Sequence, residues 1–95
     1  MKISSIKIKQ VDPDKGLIGF ASLIIDGWLY LGNISIFSRA SGDGIRLVFP
    51  GKKLKNGSII NIFYPLESEH YFELEKAISE ECSFLLTNPN IWEKH

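Results

Sequence analysis

Three features of the 95-residue sequence predict an α+β fold, in which an antiparallel β-sheet of about five strands is followed by a C-terminal amphipathic helix. Stretches rich in β-branched and aromatic residues fill most of the chain up to residue 64, as expected for strands. The dipeptides Asp26-Gly27 and Asn56-Gly57 interrupt these stretches as hairpin signals. After Pro65 the apolar period changes to three or four residues, which is the period of a helix.

Each strand is assigned from its own pattern. The I-K-I-K alternation at the start predicts a strand with Lys7 and Lys9 on its outer face. The run L-I-G-F-A-S-L-I-I has no polar side, which predicts a strand covered on both faces. The predicted strands are 6–9, 17–25, 28–37, 45–49 and 58–64, with turn chemistry at 11–16 and a loop at 38–44.

The helix is predicted from one apolar stripe, whose members are Tyr71, Leu74, Ile78, Cys82 and Leu85. Ser68 is the predicted N-cap, and Asn88-Pro89 is the predicted end of the helix. A chain of this length forms one compact domain. We therefore assign residues 1–86 to a single domain and residues 87–95 to a C-terminal tail.

The composition excludes several classes of protein. Hydrophobic residues make up 44% and charged residues 23%, as in ordinary globular domains. No apolar run approaches the roughly 18 residues of a membrane span, and the single cysteine, Cys82, fits a reducing compartment. We therefore expect a cytoplasmic protein with no membrane partner.

Catalysis has little support in the sequence. His70 and His95 are the two histidines, and neither is spaced from Cys82 or from a carboxylate pair as in a metal site or a catalytic triad. Four glutamates are predicted on exposed helix positions, where carboxyl groups keep ordinary acidity: Glu73, Glu75, Glu80 and Glu81. We expect no enzymatic activity, no metal and no cofactor.

Charge is divided unevenly along the chain, although the formal net charge is zero. Residues 1–55 carry nine basic and four acidic side chains, a net charge of +5, and residues 56–95 carry two basic and seven acidic ones, a net charge of −5. Such a division indicates a basic face that binds a polyanion and an acidic face that remains exposed to water. It is equally compatible with two subunits that meet through opposite patches.

The basic turn offers the first candidate site. Lys52, Lys53 and Lys55 crowd the predicted turn at Asn56-Gly57. Lysines presented in this way contact nucleic-acid phosphates, although a solvated turn has the same composition. Arg46 and Arg39 are candidates for base contact, because guanidinium pairs bidentately with guanine. The alternative for either arginine is an ion pair with Asp43 or a glutamate.

Two other groups of side chains are candidate nucleic-acid contacts. Lys7 and Lys9 extend the basic surface or protect an edge strand from aggregation, and the edge role is the commoner one. Trp28, Tyr30 and Phe37 belong to a strand whose aromatics stack on unpaired bases or pack in a core or dimer interface. Their apolar neighbours favour the core or the interface.

The order of these segments resembles the SpoVG family over nearly all of residues 1–82. The resemblance is carried by M-K-I-x-x-I-K-I-K, L-I-G-F-A-S-L-I-I-D, N-I-S-I-F, and F-P-G-K-K-L-K-N-G followed by N-I-F-Y-P-L. It implies an α+β fold, a homodimer formed largely through strands, and site-specific binding of DNA, with RNA bound by some relatives. Lys52 and Lys53 match the basic pair of the family, whereas Gly51 replaces a common serine and Tyr64 a frequent histidine.

The residues and the resemblance together predict a homodimer that binds nucleic acid, and duplex DNA is the expected ligand ahead of RNA. Lys52, Lys53 and Lys55 hold phosphates in this hypothesis, while Arg46 and Arg39 confer sequence preference. The alternative is a protein-interaction dimer whose acidic helix docks a basic protein partner.

Overall fold

A computed structural model describes residues 1–40, 44–87 and 93–94 of the chain. Its elements, in chain order, are β1 Ile3–Asp14, β2 Leu17–Ile25, β3 Leu29–Ser38, β4 Ile45–Val48, β5 Gly51–Lys53, β6 Ile59–Asn61, α1 Ser68–Thr87 and β7 Glu93–Lys94. The α+β class and the single long helix agree with the sequence prediction. The predicted helix end at Asn88-Pro89 lies outside the described residues.

The strands form two sheets, whereas the sequence predicted one. Strands β1 to β4 make an antiparallel sheet in the order β4-β3-β2-β1, and the two-residue β7 adds to the free edge of β1 in parallel. Among the described residues, strands β5 and β6 pair only with each other, as a separate two-stranded ribbon. The prediction of about five antiparallel strands in one sheet is therefore right for four of them. The segment 58–64 leaves the main sheet because β5 pairs with it instead.

Two tight turns join the first three strands. Asp26 and Gly27 have φ angles of 52° and 76°, and the Trp28 amide donates to the Ile25 carbonyl at 3.1 Å. Positive φ at both central residues defines a type I′ turn, as the hairpin signal predicted. Lys15 and Gly16 form a second such pair, with φ angles of 52° and 90°. The predicted turn at 11–16 is thus confined to its last two residues, and β1 continues to Asp14.

The core lies between one face of the four-stranded sheet and the helix. Alternate strand residues point toward the helix, and the helix meets them with its apolar stripe. The buried core comprises Ile8, Ala21, Leu23, Ile34, Ile36, Ile45 and Leu47 from the sheet and Leu74, Ile78 and Cys82 from the helix. The predicted stripe is confirmed over its described side chains. The Leu85 side chain lies outside them.

Cys82 is a structural thiol. It is buried in the core, and burial, with a smaller contribution from the charge of Glu81, raises its pKa to about 11. The thiolate is the reactive form of cysteine, and a thiol with this pKa remains protonated at neutral pH. Cys82 therefore acts as a small apolar side chain, as its place on the stripe predicted.

The N-cap of the helix lies one residue before Ser68, the residue predicted for that position. The Glu67 carbonyl accepts from the amides of His70 at 3.1 Å and Tyr71 at 3.2 Å. The residue that accepts the first intrahelical bond is the N-cap, so the cap is Glu67 and Ser68 is the first helical residue. In the part of the chain that the structure describes, no helix has the length and apolarity needed to cross a membrane.

Candidate nucleic-acid interface

The basic turn lies at the end of the β5–β6 ribbon. The Leu54 amide donates to the Ser58 carbonyl at 2.8 Å, and the Gly57 amide donates to the Leu54 carbonyl at 3.0 Å. The Asn56 side-chain oxygen accepts from the Ser58 amide at 3.0 Å and from its hydroxyl at 2.6 Å. Lys55 and Asn56 are thus the central residues, and Gly57, at φ 90°, returns the chain to β6. The turn is where the sequence predicted it, but only Gly57 has the positive φ.

The three lysines are presented to solvent by this ribbon. Lys52, Lys53 and Lys55 are all exposed. Lys52 faces Ile60 and Lys53 faces Ile59 across the ribbon, and successive residues of a strand point to opposite sides. Within residues 1–40, 44–87 and 93–94 the one ion pair is elsewhere, so these lysines have no described carboxylate partner. Their charges are available to an anion.

An aromatic cluster attaches the ribbon to the rest of the fold. The Phe49 ring, between β4 and β5, makes edge-to-face contacts with Phe63 at 5.9 Å and Tyr71 at 6.2 Å between centroids. Such pairs contribute about 0.5–1.5 kcal/mol beyond burial. The Tyr71 hydroxyl also accepts from the Leu47 amide at 3.1 Å, and burial is the main cause that raises its pKa. Helix, edge strand and ribbon are thereby joined.

Arg46 lies on a different element from the lysines. It is exposed on β4, between the buried Ile45 and Leu47, so it points away from the helix. Its guanidinium carbon lies 4.8 Å from the centroid of the Phe37 ring on β3, the residue it faces across the strands. This cation–π contact holds the guanidinium against the Phe37 ring, while the arginine side chain as a whole remains exposed. We call the β5–β6 ribbon with Lys52, Lys53 and Lys55 the lysine ribbon. Whether Arg46 acts together with it stays a prediction.

Arg39 is already paired with a carboxylate. Its Nη2 donates to Oε2 of Glu75 on the helix at 2.9 Å, and the two side chains are 41% and 19% exposed. The sequence left this alternative open for both arginines, and the structure shows it for Arg39. The other partner considered, Asp43, lies outside the described residues. Base contact by Arg39 requires that this ion pair open, which makes Arg46 the better candidate.

Donor atoms of Glu67, Glu69 and His70 also lie close together, within 4.8 Å of one another. This grouping of His70 with two carboxylates was not predicted, because residues at the start of a helix converge only once the first turn is formed. Both glutamates are exposed and near the positive end of the helix dipole, which is a common place for acidic residues.

Two surfaces were missed from the sequence. The predicted strand 58–64 is solvent-exposed, with Ile59, Ile60 and Ile62 at 68%, 52% and 63% exposure. The face of the main sheet opposite the helix is open and carries Tyr30 at 67% exposure. The strand 17–25 is therefore buried on one face only, and the prediction that both of its faces are covered was wrong. Consecutive isoleucines such as 59 and 60 are typical of a strand covered on both faces, so the sequence carried no signal for the exposure of this segment.

Comparisons with known proteins agree on one family. The family model described as SpoVG matches residues 1–83. A relative from Treponema denticola, named "Putative septation protein SpoVG", is 29% identical over 80 residues, which cover 84% of each chain. Relatives with the same name from Phytoplasma australiense and Priestia megaterium are 27% and 21% identical, over 94% and 85% of this chain and 91% and 82% of their own. The chain therefore belongs to the SpoVG family.

Proposed function

We propose that this protein is a non-enzymatic regulatory protein that binds DNA as a homodimer through the lysine ribbon. The observation that carries the proposal is the set Lys52, Lys53 and Lys55, exposed on a hydrogen-bonded ribbon without a described carboxylate partner. Lysines so placed release condensed counterions from phosphates on binding, which supplies affinity without sequence preference. Arg46 supplies the sequence preference in this account, through its guanidinium donors.

The homodimer in this proposal uses the exposed apolar surface beside the lysines. Strand β6 pairs on one side only, with β5, and apolar side chains are exposed on and after it. They are Ile59, Ile60, Ile62, Tyr64, Leu66 and Phe72, between 52% and 86% exposed. Large apolar side chains exposed in this number are typical of an interface, and an unpaired strand edge is a template for a second strand. Two ribbons joined here bring six lysines to one dimer.

The dimer surface is tested by placing a charge on β6. Ile60→Glu is expected to raise the dimer dissociation constant by about 30-fold or more, because a buried unpaired carboxylate costs on the order of 2 kcal/mol or more. Sedimentation equilibrium measures the constant. Val48→Glu, at an exposed apolar position on the open face of the main sheet, is the matched control and is expected to leave the dimer intact. Dissociation by Val48→Glu alone places the interface on the sheet instead.

Alanine variants of the ribbon lysines test the DNA proposal. Lys52→Ala/Lys53→Ala is expected to weaken binding of a 20-base-pair duplex about 10-fold or more at ~0.1 M salt, since each dimer loses four phosphate contacts. Fluorescence anisotropy measures the affinity. Lys2→Ala/Lys76→Ala removes the same charge from exposed lysines elsewhere and is expected to change it less than about twofold. Equal losses in both variants contradict a localised site.

The competing function is a dimer whose acidic helix docks a basic protein. Exposed Glu73 and Glu80 on the helix favour it. Under this alternative, Glu73→Lys/Glu80→Lys lowers the amount of basic partner captured in a pulldown, and Lys52→Ala/Lys53→Ala leaves that amount unchanged. A loss of DNA affinity confined to the lysine variant favours the nucleic-acid function.

A further inference from the structure

The open face of the main sheet contains a groove that the lysine ribbon does not line. Its volume is about 530 Å³. It is lined by Lys7 and Lys9 of β1, Phe20, Ser22 and Ile24 of β2, and Tyr30 of β3. A cavity of this size takes a ligand on the scale of a nucleotide, and a DNA duplex is too wide to enter it.

Two backbone irregularities shape this groove. The register of the β1–β2 pair shifts between Ser4 and Lys7 of β1. The register of the β2–β3 pair shifts between Ala21 and Leu23 of β2. Ser5 and Asn33, at φ 52° and 58°, lie at these two shifts. Bulges bend a strand and increase its twist. The sheet is thereby curved on both sides of the central strand, at the level of Ser22.

Tyr30 is held over the groove as an aromatic surface. A Cβ atom on Gly32 would stand 2.9 Å from Cε2 and from the hydroxyl oxygen of Tyr30, so the ring occupies the space that any side chain at position 32 would fill. The rest of the ring is open, at 67% exposure. A ring supported on one side and open on the other is what a stacked base requires.

The charges of the groove complement a phosphate backbone. Lys7 faces Ser22 and Lys9 faces Phe20 across the β1–β2 pair, and both lysines are exposed. No carboxylate belongs to the described lining, although Glu93 of β7 pairs with Lys9 on the other side of β1. Basic residues interleaved with aromatic ones on a sheet bind single strands, because phosphates and unpaired bases are contacted together.

We propose that this groove binds single-stranded nucleic acid, with a base stacked on Tyr30 and phosphates held by Lys7 and Lys9. The proposal does not rest on DNA binding by the ribbon, because none of Lys52, Lys53 and Lys55 lines the groove. Unpaired DNA and RNA share the chemistry that these side chains recognise. From the sequence, Lys7 and Lys9 were expected to protect an edge strand, and Tyr30 was expected to pack in a core or a dimer interface. Their exposure around one groove favours a binding role instead.

Titration of dye-labelled dT10 and U10 oligonucleotides tests the proposal in the full chain. Tyr30→Ala and Lys7→Ala/Lys9→Ala are each expected to weaken binding about 10-fold. Tyr30→Phe keeps the ring and is expected to bind within about twofold of the parent chain. The controls are Lys52→Ala/Lys53→Ala on the ribbon and Trp28→Ala, which removes an aromatic side chain outside the groove lining. The relative affinity for dT10 and U10 separates DNA from RNA.

A second variant acts on the ring without removing it. Gly32→Ala is expected to displace the Tyr30 ring and weaken oligonucleotide binding about 5-fold or more, with an unchanged circular dichroism spectrum. The proposal is overturned if oligonucleotide affinity is equal in Tyr30→Ala and the parent chain, or if only the ribbon variant loses it. It is also overturned if Tyr30→Ala dissociates the dimer in sedimentation, since the groove is then a contact between copies.

Discussion

Ile78→Ala is expected to lower the free energy of unfolding by about 3 kcal/mol, within the range of about 2–5 kcal/mol for buried isoleucine truncations. Ile78 has no exposed surface and lies midway along the helix stripe that faces the sheet. Removing its outer carbons leaves a cavity between two rigid layers, which cannot close without moving the helix. Urea unfolding followed by circular dichroism measures the loss.

Lys76→Ala is the matched control for this prediction. Lys76 lies two residues before Ile78 on the same helix and is exposed, so its replacement tests the helix without the core. We expect a change below about 0.5 kcal/mol. Similar losses in the two variants are incompatible with a core between helix and sheet.

Gly19→Ala is expected to destabilise the fold by at least about 2 kcal/mol, because overpacking against backbone cannot be relieved by a rotamer change. Gly19 is buried on β2 and faces Gln10 of β1. A Cβ atom there would stand 2.7 Å from the Lys9 carbonyl oxygen. The strands β1 and β2 would have to separate to admit it. Thermal and urea unfolding of the purified variant measure the effect.

Gly27→Ala separates this steric effect from backbone strain. A Cβ atom on Gly27 meets nothing within 4 Å, but its φ is 76°. We expect a loss of about 1 kcal/mol from the left-handed conformation alone. If Gly19→Ala costs no more than Gly27→Ala, close approach of β1 and β2 is not what requires glycine at position 19.

Much of the fold was predictable from local pattern. The period of three or four residues after Pro65 identified the helix, and Leu74, Ile78 and Cys82 are buried as the stripe requires. Asp26-Gly27 identified a type I′ hairpin because few dipeptides tolerate positive φ at both positions. These features depend on residues close together in sequence.

The errors came from interactions between distant residues. The segment 58–64 was assigned to the main sheet, but it pairs with Gly51–Lys53 in a separate ribbon. Strand β5 has three residues, which is too short for an alternation of polar and apolar residues to be recognised, so it was not predicted. The Arg39–Glu75 ion pair joins the residue after β3 to the helix over 36 residues. Which carboxylate Arg39 pairs with depends on how the helix packs.

The candidate site also has one part that was predictable from local sequence and one part that was not. The exposure of Lys52, Lys53 and Lys55 followed from the turn signal at Asn56-Gly57. The groove beside Tyr30 was not predictable, because it depends on bulges at Ser5 and Asn33, and neither residue type nor spacing marks a bulge in these strands.

The salt dependence of duplex binding tests the central claim, that the lysine ribbon holds DNA phosphates. A dimer with about five phosphate contacts predicts a slope of about −4 to −5 in log association constant against log salt concentration. Lys52→Ala/Lys53→Ala removes four lysines from each dimer, so we expect its slope to be shallower by about 3 to 4. A parent slope near zero, or an equal slope in the variant and the parent, contradicts phosphate binding by the ribbon.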